Sequence, residues 1–285
     1  MGSGSAQATV SHLGTFLDPA LVQEILFEIT ESGAEVVLVG GQAVNFWSIL
    51  FARETANWQE LQPYTSMDID FLGTRQDAEL IGRALGAKIT LNKNIDGGTP
   101  NTGVLLVQRK NTTLLIDVLG SVYGVSTEKI LEQALAFIGR NESAGVKLKV
   151  IDPITLLEGK LANLKGLPQH DRQDEKHIRL LLLVIPEFVA SLDLKGREFI
   201  EVIKALFALA ESKEGLCVWY QYSISVEEAV PWSYLQAETS EVTSRFRERT
   251  VNDKLQRLEA KRQKYKRTRE QAESRGSALK QKRHL

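Results

Sequence analysis

The chain has 285 residues, of which 43% are hydrophobic and 25% charged, with a single cysteine. That balance excludes a collagen-like, a disulfide-stapled or a wholly disordered protein, and the length allows one large domain or two smaller ones. The formal net charge of −1 hides an asymmetry: residues 241–285 hold 15 Lys+Arg against 6 Asp+Glu, and the rest of the chain 20 against 30. An acidic body with a basic arm points either to an anionic partner or to a long solvated helix.

Met1 to Ser5 has neither the basic nor the apolar region of a signal peptide and reads as a flexible leader or a cloning scar. A helix is expected from Pro19, after Asp18, to Ser32, closed by Gly33. Glu35 to Val39 reads as a buried strand, Gly40-Gly41 as a tight turn, and Gln42 to Ala52 as a helix. Arg53 to Tyr64 is polar and expected to be a loop. Asp68 to Leu72 alternates as a half-buried strand. A helix over Gln76 to Leu85 and a strand at Lys88 to Leu91 follow, then a loop from Asn92 to Asn101 with Gly97, Gly98 and Pro100. Gly103 to Gln108 and Thr113 to Leu119 read as strands, Glu128 to Ile138 as a helix, and Val146 to Ile151 as a strand.

Beyond Asp152 the pattern turns helical, over Pro153 to Leu164, Asp171 to Leu192 and Arg197 to Glu211. The run Ile178 to Val189 is interrupted by Arg179, Pro186 and Glu187, too short and too charged to span a bilayer. A less regular stretch covers Cys217 to Trp232. In the arm, Val251, Leu258, Tyr265, Ala272 and Leu279 recur every seventh residue, a narrow stripe suited to packing on the body or on a partner. Arg262 and Gly276 weaken a coiled coil. With Cys217 alone, no intrachain disulfide and no cysteine-based zinc site is possible, and a reducing, cytoplasmic setting is expected.

The chemistry concentrates on three aspartates. Asp68 and Asp70 lie two apart in a strand, so their side chains share a face. Two close carboxylates repel unless a cation lies between them, and a divalent cation with oxygen ligands is the natural neutraliser. Asp117 stands inside Leu114-Leu115-Ile116-Asp117-Val118-Leu119, where a lone ionised carboxylate is costly unless paired or metal-bound. Three strand-borne aspartates converging would make a two-metal site. A strand running through Gly40-Gly41 into a helix brings backbone amides close to an anion, although an ordinary tight turn has the same sequence.

Taken together, "LVGGQAV", "TSMDIDFLG" and "LLIDVLG" resemble the polymerase-β-type nucleotidyltransferase superfamily, and within it the AbiEii/MenT-like toxin group of toxin–antitoxin and phage-defence systems. The resemblance covers about Glu35 to Leu182. It implies that Asp68 and Asp70 hold two magnesium ions, and that Asp117 binds the catalytic one and helps deprotonate the acceptor hydroxyl. It also implies that Gly40, Gly41 and Ser66 contact the nucleotide triphosphate. Lys160, in "LLEGKLANL", and Asp174, in "DRQDEKHIRLL", match later nucleotide-site elements. Lys160 by itself reads equally as a snorkelling lysine at the core edge. His177 stands where relatives carry a second Asp, Tyr64 where they carry Arg, and Gln42 where they carry Thr or Ser. The 27 positions from Gly41 to Asp68 imply an insertion at about Asn57 to Tyr64.

The expected fold is α+β: a leader (1–14), a mixed-sheet nucleotidyltransferase core with flanking helices (15–152), a helical domain (153–233) and a basic helical arm (234–285). The expected activity transfers a nucleoside monophosphate from an NTP such as ATP to a hydroxyl, releasing pyrophosphate. The acceptor would be an RNA or tRNA 3′ end or a protein, with an antitoxin as a further partner and no membrane. Two other classes compete: a degenerate fold that binds a partner through the arm, and a metal phosphodiesterase. The four histidines, none near the aspartates in sequence, disfavour the second.

Overall fold

The computed structural model describes residues 19–52, 61, 68–92, 100–109, 112–138, 147–170 and 172–282. The leader, Ser66 and most of the loops expected at 53–64 and 92–101 lie outside the described residues. The protein is α+β, with a seven-stranded mixed sheet and a long C-terminal helix. It divides into two units, residues 1–46 with 62–156 and residues 47–61 with 157–285.

The first unit is the sheet. Helix α1 (Pro19–Glu31) leads into β1 (Val37–Val39), whose three residues are all buried, and α2 (Gly40–Phe51) starts without a linker. Then come β2 (Asp68–Leu72), α3 (Arg75–Leu85), β3 (Lys88–Leu91), β4 (Asn101–Arg109) and β5 (Thr112–Leu119). Helix α4 (Thr127–Gln133), β6 (Leu135–Ile138), β7 (Lys147–Val150) and the start of α5 (Pro153–Gly166) complete it. The strand order is β3-β4-β5-β2-β1-β7-β6. β2 runs parallel to β5 and antiparallel to β1, so the three strands carrying or adjoining the expected site are neighbours at the sheet centre.

One sheet face is sealed. Ile69, Phe71, Leu114, Ile116 and Val118 are fully buried, and α3 packs over β3, β4 and β5. The approach is close: a Cβ on Gly82 would overlap the Ile89 side chain, so only glycine fits there. A capping box fixes where α3 begins, with Thr74 accepting from the Asp77 amide and Asp77 from the Thr74 amide. Asp77 also accepts from the Glu35 amide at 2.9 Å, which ties this helix to the approach to β1.

The helix expected over Glu128 to Ile138 is shorter than its sequence suggested. It stops at Gln133, Ala134 turns extended (ψ 134°), and Leu135–Ile138 pairs antiparallel with β7. A four-residue apolar run is compatible with either structure, and here an available sheet edge decides it. Phe137 meets the Phe46 ring edge-on at 4.8 Å.

The second unit is helical. α6 (Asp174–Ser191), α7 (Gly196–Glu211), α8 (Lys213–Tyr222), α9 (Trp232–Ala237), α10 (Glu241–Phe246) and α11 (Asn252–Lys282) follow the later turns of α5. The stretch from Cys217 is more regular than expected. Ser212 caps α8 by accepting from the Gly215 amide, Ser223 closes it in the left-handed region, and a 3-10 turn (Val226–Ala229) leads to α9. α10 and α11 join through a π-helical turn, Arg247–Val251.

The arm packs within this unit. Val251 and Leu258 of the seven-residue stripe are buried, Tyr265 is half-buried, and Ala272 is exposed. Arg262 is buried beside that stripe and donates to both oxygens of Glu227, at 2.7 and 2.6 Å. Its guanidinium lies 5.1 Å from the centre of the Trp219 ring. The residue that spoils a coiled-coil seam is therefore an anchor of α11.

Candidate metal centre

The sheet register brings the aspartates together. Asp70 is the direct partner of Asp117 across β2 and β5, and of Val39 across β2 and β1. Asp68 lies one pleat back on the same face as Asp70. One ligand oxygen from each of Asp68, Asp70 and Asp117 lies within 4.8 Å of the others. All three side chains are half-buried, while the intervening Ile69, Ile116 and Val118 fill the sealed face. The alternation seen in the sequence thus becomes a carboxylate cluster on one side and core on the other.

Gly40 belongs to the same site. It has φ +66°, a conformation that disfavours side chains, and a Cβ there would overlap the Asp70 carboxylate. Its nakedness makes room for Asp70, whatever else binds nearby. Gly41 is buried in the first turn of α2. Ser66 lies outside the described residues.

Asn101 was missed in the sequence. Its Nδ2 donates to Asp117 Oδ1 at 3.0 Å. Counting back from the Val104–Asp117 and Gly103–Val118 pairs, a regular ladder would set Thr102 opposite Leu119, yet Asn101 stands there. One extra residue is inserted, and such a bulge turns a side chain toward a face it would otherwise avoid. Thr102 steadies the kink by donating from its hydroxyl to the Val118 carbonyl at 2.9 Å. A polar residue before a strand carries no mark of this role, so only the register exposes it.

Burial raises the Asp117 carboxyl above its ordinary value, the negative charge of Asp68 raises it further, and the bond from Asn101 opposes both. At Asp117 the surroundings therefore disfavour the negative charge, which a cation would relieve. Three carboxylates are hard oxygen donors suited to a divalent ion of the magnesium class.

Lys160 and Asp174, the other two expected site residues, form a buried ion pair in the helical unit. Lys160 Nζ lies 3.0 Å from Asp174 Oδ1, with side-chain exposures of 8% and 2%. Arg172 holds the second oxygen at 2.6 Å. Burial alone would raise Asp174, but the charge of Lys160 and the bond and charge of Arg172 outweigh it and hold the carboxyl below its ordinary value. His177 is buried on the same helix, and among the described residues neither of its ring nitrogens has a hydrogen-bond partner. Its burial, followed by the charge of Lys160, pushes it well below the usual histidine range, so it stays neutral.

No family model matches the chain, and no curated protein matches it.

Two outcomes are expected. In Mn²⁺ titrations followed by electron paramagnetic resonance, Asp70→Asn abolishes saturable binding, and Asn101→Ala weakens it about tenfold, as loss of an outer-shell partner does. Unchanged affinity in Asn101→Ala would remove that residue from the site. Asp174→Asn, by stranding Lys160, costs about 3–5 kcal/mol at neutral pH in urea unfolding. Because the folded Asp174 pKa lies below its unfolded value near 3.8, its stabilisation is present above that value and lost as pH falls through the folded one. The variant's stability should therefore fall less on acidification than the wild type's; parallel acid limbs would contradict the pairing.

Proposed function

We propose that the protein is a magnesium-dependent nucleotidyltransferase of the polymerase-β type, moving a nucleoside monophosphate from an NTP onto an acceptor hydroxyl. The observation that carries this reading is the convergence of Asp68, Asp70 and Asp117 on one face of a mixed sheet, beside the Gly40 turn that ends β1. The order of Gly-Gly turn, Asp-x-Asp strand and third Asp strand adds to it.

In the proposed reaction the acceptor oxygen attacks the α-phosphorus, a new P–O bond forms in line with the bond to the β-phosphate, and pyrophosphate leaves. Asp117 takes the acceptor proton, a role suited to a carboxyl whose burial raises its proton affinity. Asp68 and Asp70 would hold two magnesium ions together with Asp117, and the bound ions would supply positive charge to the phosphates and to the attacking oxygen. Asn101 fixes which Asp117 oxygen faces the site. Gly40 and Gly41 would offer backbone to the triphosphate, and the resemblance assigns a contact there to Ser66 as well. The resemblance also implies nucleotide-site roles for Lys160 and Asp174, which pair with each other in the helical unit.

The resemblance brings further proposals: an RNA or protein acceptor, an antitoxin partner, a toxin–antitoxin or phage-defence setting, and a cytoplasmic location. Among the described residues no helix is long and apolar enough to cross a membrane.

The test is label transfer from each α-³²P NTP, with magnesium, to total RNA and separately to lysate protein. Label should enter one acceptor class and vanish in Asp68→Ala and Asp117→Ala. Absence of label in every mixture, with the variants folded, would contradict transferase activity and favour a degenerate binding module.

A further inference from the structure

We propose that the outward face of α11 docks an RNA strand through its phosphates. Most cations of this helix are already engaged. Lys261 and Arg257 pair with Glu211, and Arg262 pairs with Glu227. Arg269 donates to the Tyr265 hydroxyl at 3.1 and 3.0 Å, and Lys266 reaches Glu270 at 4.0 Å.

Lys254 lies over the Phe207 ring, 5.4 Å from its centre. Lys264, Arg267 and Arg275 are exposed and make no ion pair among the described residues. Their spacings of three and eight residues place them on one side of the helix, turned away from the Leu258, Arg262 and Tyr265 side that packs inward. Ala260, Gln263, Lys264, Arg267, Thr268 and Gln271 line one shallow depression, and Arg267, Glu270, Gln271, Ser274 and Arg275 line the next, where Glu270 faces Lys266. Lys264 to Arg275 spans about 16 Å along the axis, several backbone phosphates of a nucleic acid strand.

The company these cations keep argues for a polynucleotide. Arginine and lysine interleaved with side-chain amides and hydroxyls form the donor set that contacts phosphate and sugar oxygens, and Glu270, the carboxylate among them, faces Lys266. No large apolar side chain lines either depression, which leaves a lipid surface nothing to bury. Elsewhere the chain carries 20 Lys+Arg against 30 Asp+Glu, so this face stands out against an acidic remainder. This proposal rests on the nucleotidyltransferase reading with an RNA acceptor, and an acidic peptide is the competing occupant that the polyglutamate arm of the experiment tests.

The experiment uses the full chain and a fluorescein-labelled single-stranded RNA, without nucleotide or divalent cation, so its result does not depend on whether transfer occurs. Anisotropy titrations between about 50 and 200 mM salt give the slope of log K against log salt, to which each single-strand phosphate contact contributes about 0.7. The triple variant Lys264→Ser, Arg267→Ser, Arg275→Ser should lower that slope by about 2. Lys204→Ser, which removes a cation from exposed α7 surface, should leave it unchanged. All four substitutions lie on the surface, and circular dichroism checks the fold. No saturable RNA binding, or an unchanged slope in the triple variant, overturns the proposal. So does displacement by polyglutamate as effective as by unlabelled RNA, or a DNA duplex bound more tightly than the RNA.

Discussion

Three carboxylates within 4.8 Å of one another on a single sheet face are the constraint around which the first unit is arranged. The fold opposes their mutual repulsion in several ways. The parallel pairing of β2 with β5 holds Asp70 against Asp117, and neither can withdraw without breaking a ladder whose other face is packed core. Gly40 yields its side-chain space to Asp70. Asn101 donates one neutral hydrogen bond, which offsets part of the cost of ionised Asp117. A fold bears such a cluster at a loss in its own stability, which is the trade seen where charge is held ready for a cation.

The helical unit treats charge in the opposite way. Asp174 is as buried as any carboxylate described, yet it receives Lys160 on one oxygen and Arg172 on the other. Arg262 is likewise matched by both oxygens of Glu227 and by the Trp219 ring. In these places the low dielectric strengthens pairs that are already closed. The two units thus hold different kinds of electrostatic site, one a cluster of like charges and one a set of closed ion pairs. Among the described side chains of α11, the cations without an ion pair on the exposed face are Lys264, Arg267 and Arg275.

What the sequence made legible follows from period and local chemistry. A strand's two-residue period is enough to put Asp68 and Asp70 on one face, and Asp117, within the otherwise apolar run Leu114 to Leu119, had to be either paired or set toward a shared site. β2 falls on the residues expected, and α1, α3, β3 and α7 start or stop within a residue or two of expectation. What stayed hidden depends on register and on partners distant in sequence. Asn101 reaches Asp117 only because a bulge adds one residue to β4. Leu135–Ile138 becomes a strand only because β7 offers it an edge. Arg262 looked like an interruption of an apolar stripe because Glu227, which neutralises it, lies 35 residues away.

The central claim is that the carboxylate cluster is a divalent-cation site serving an NTP. The most direct measurement is anomalous diffraction at the manganese edge, from crystals of the full chain grown with Mn²⁺ and a non-hydrolysable NTP. The expected result is anomalous density between the carboxylates of Asp68, Asp70 and Asp117, with nucleotide phosphates beside it. Manganese bound elsewhere, or a cluster without density at saturating Mn²⁺, would contradict the claim.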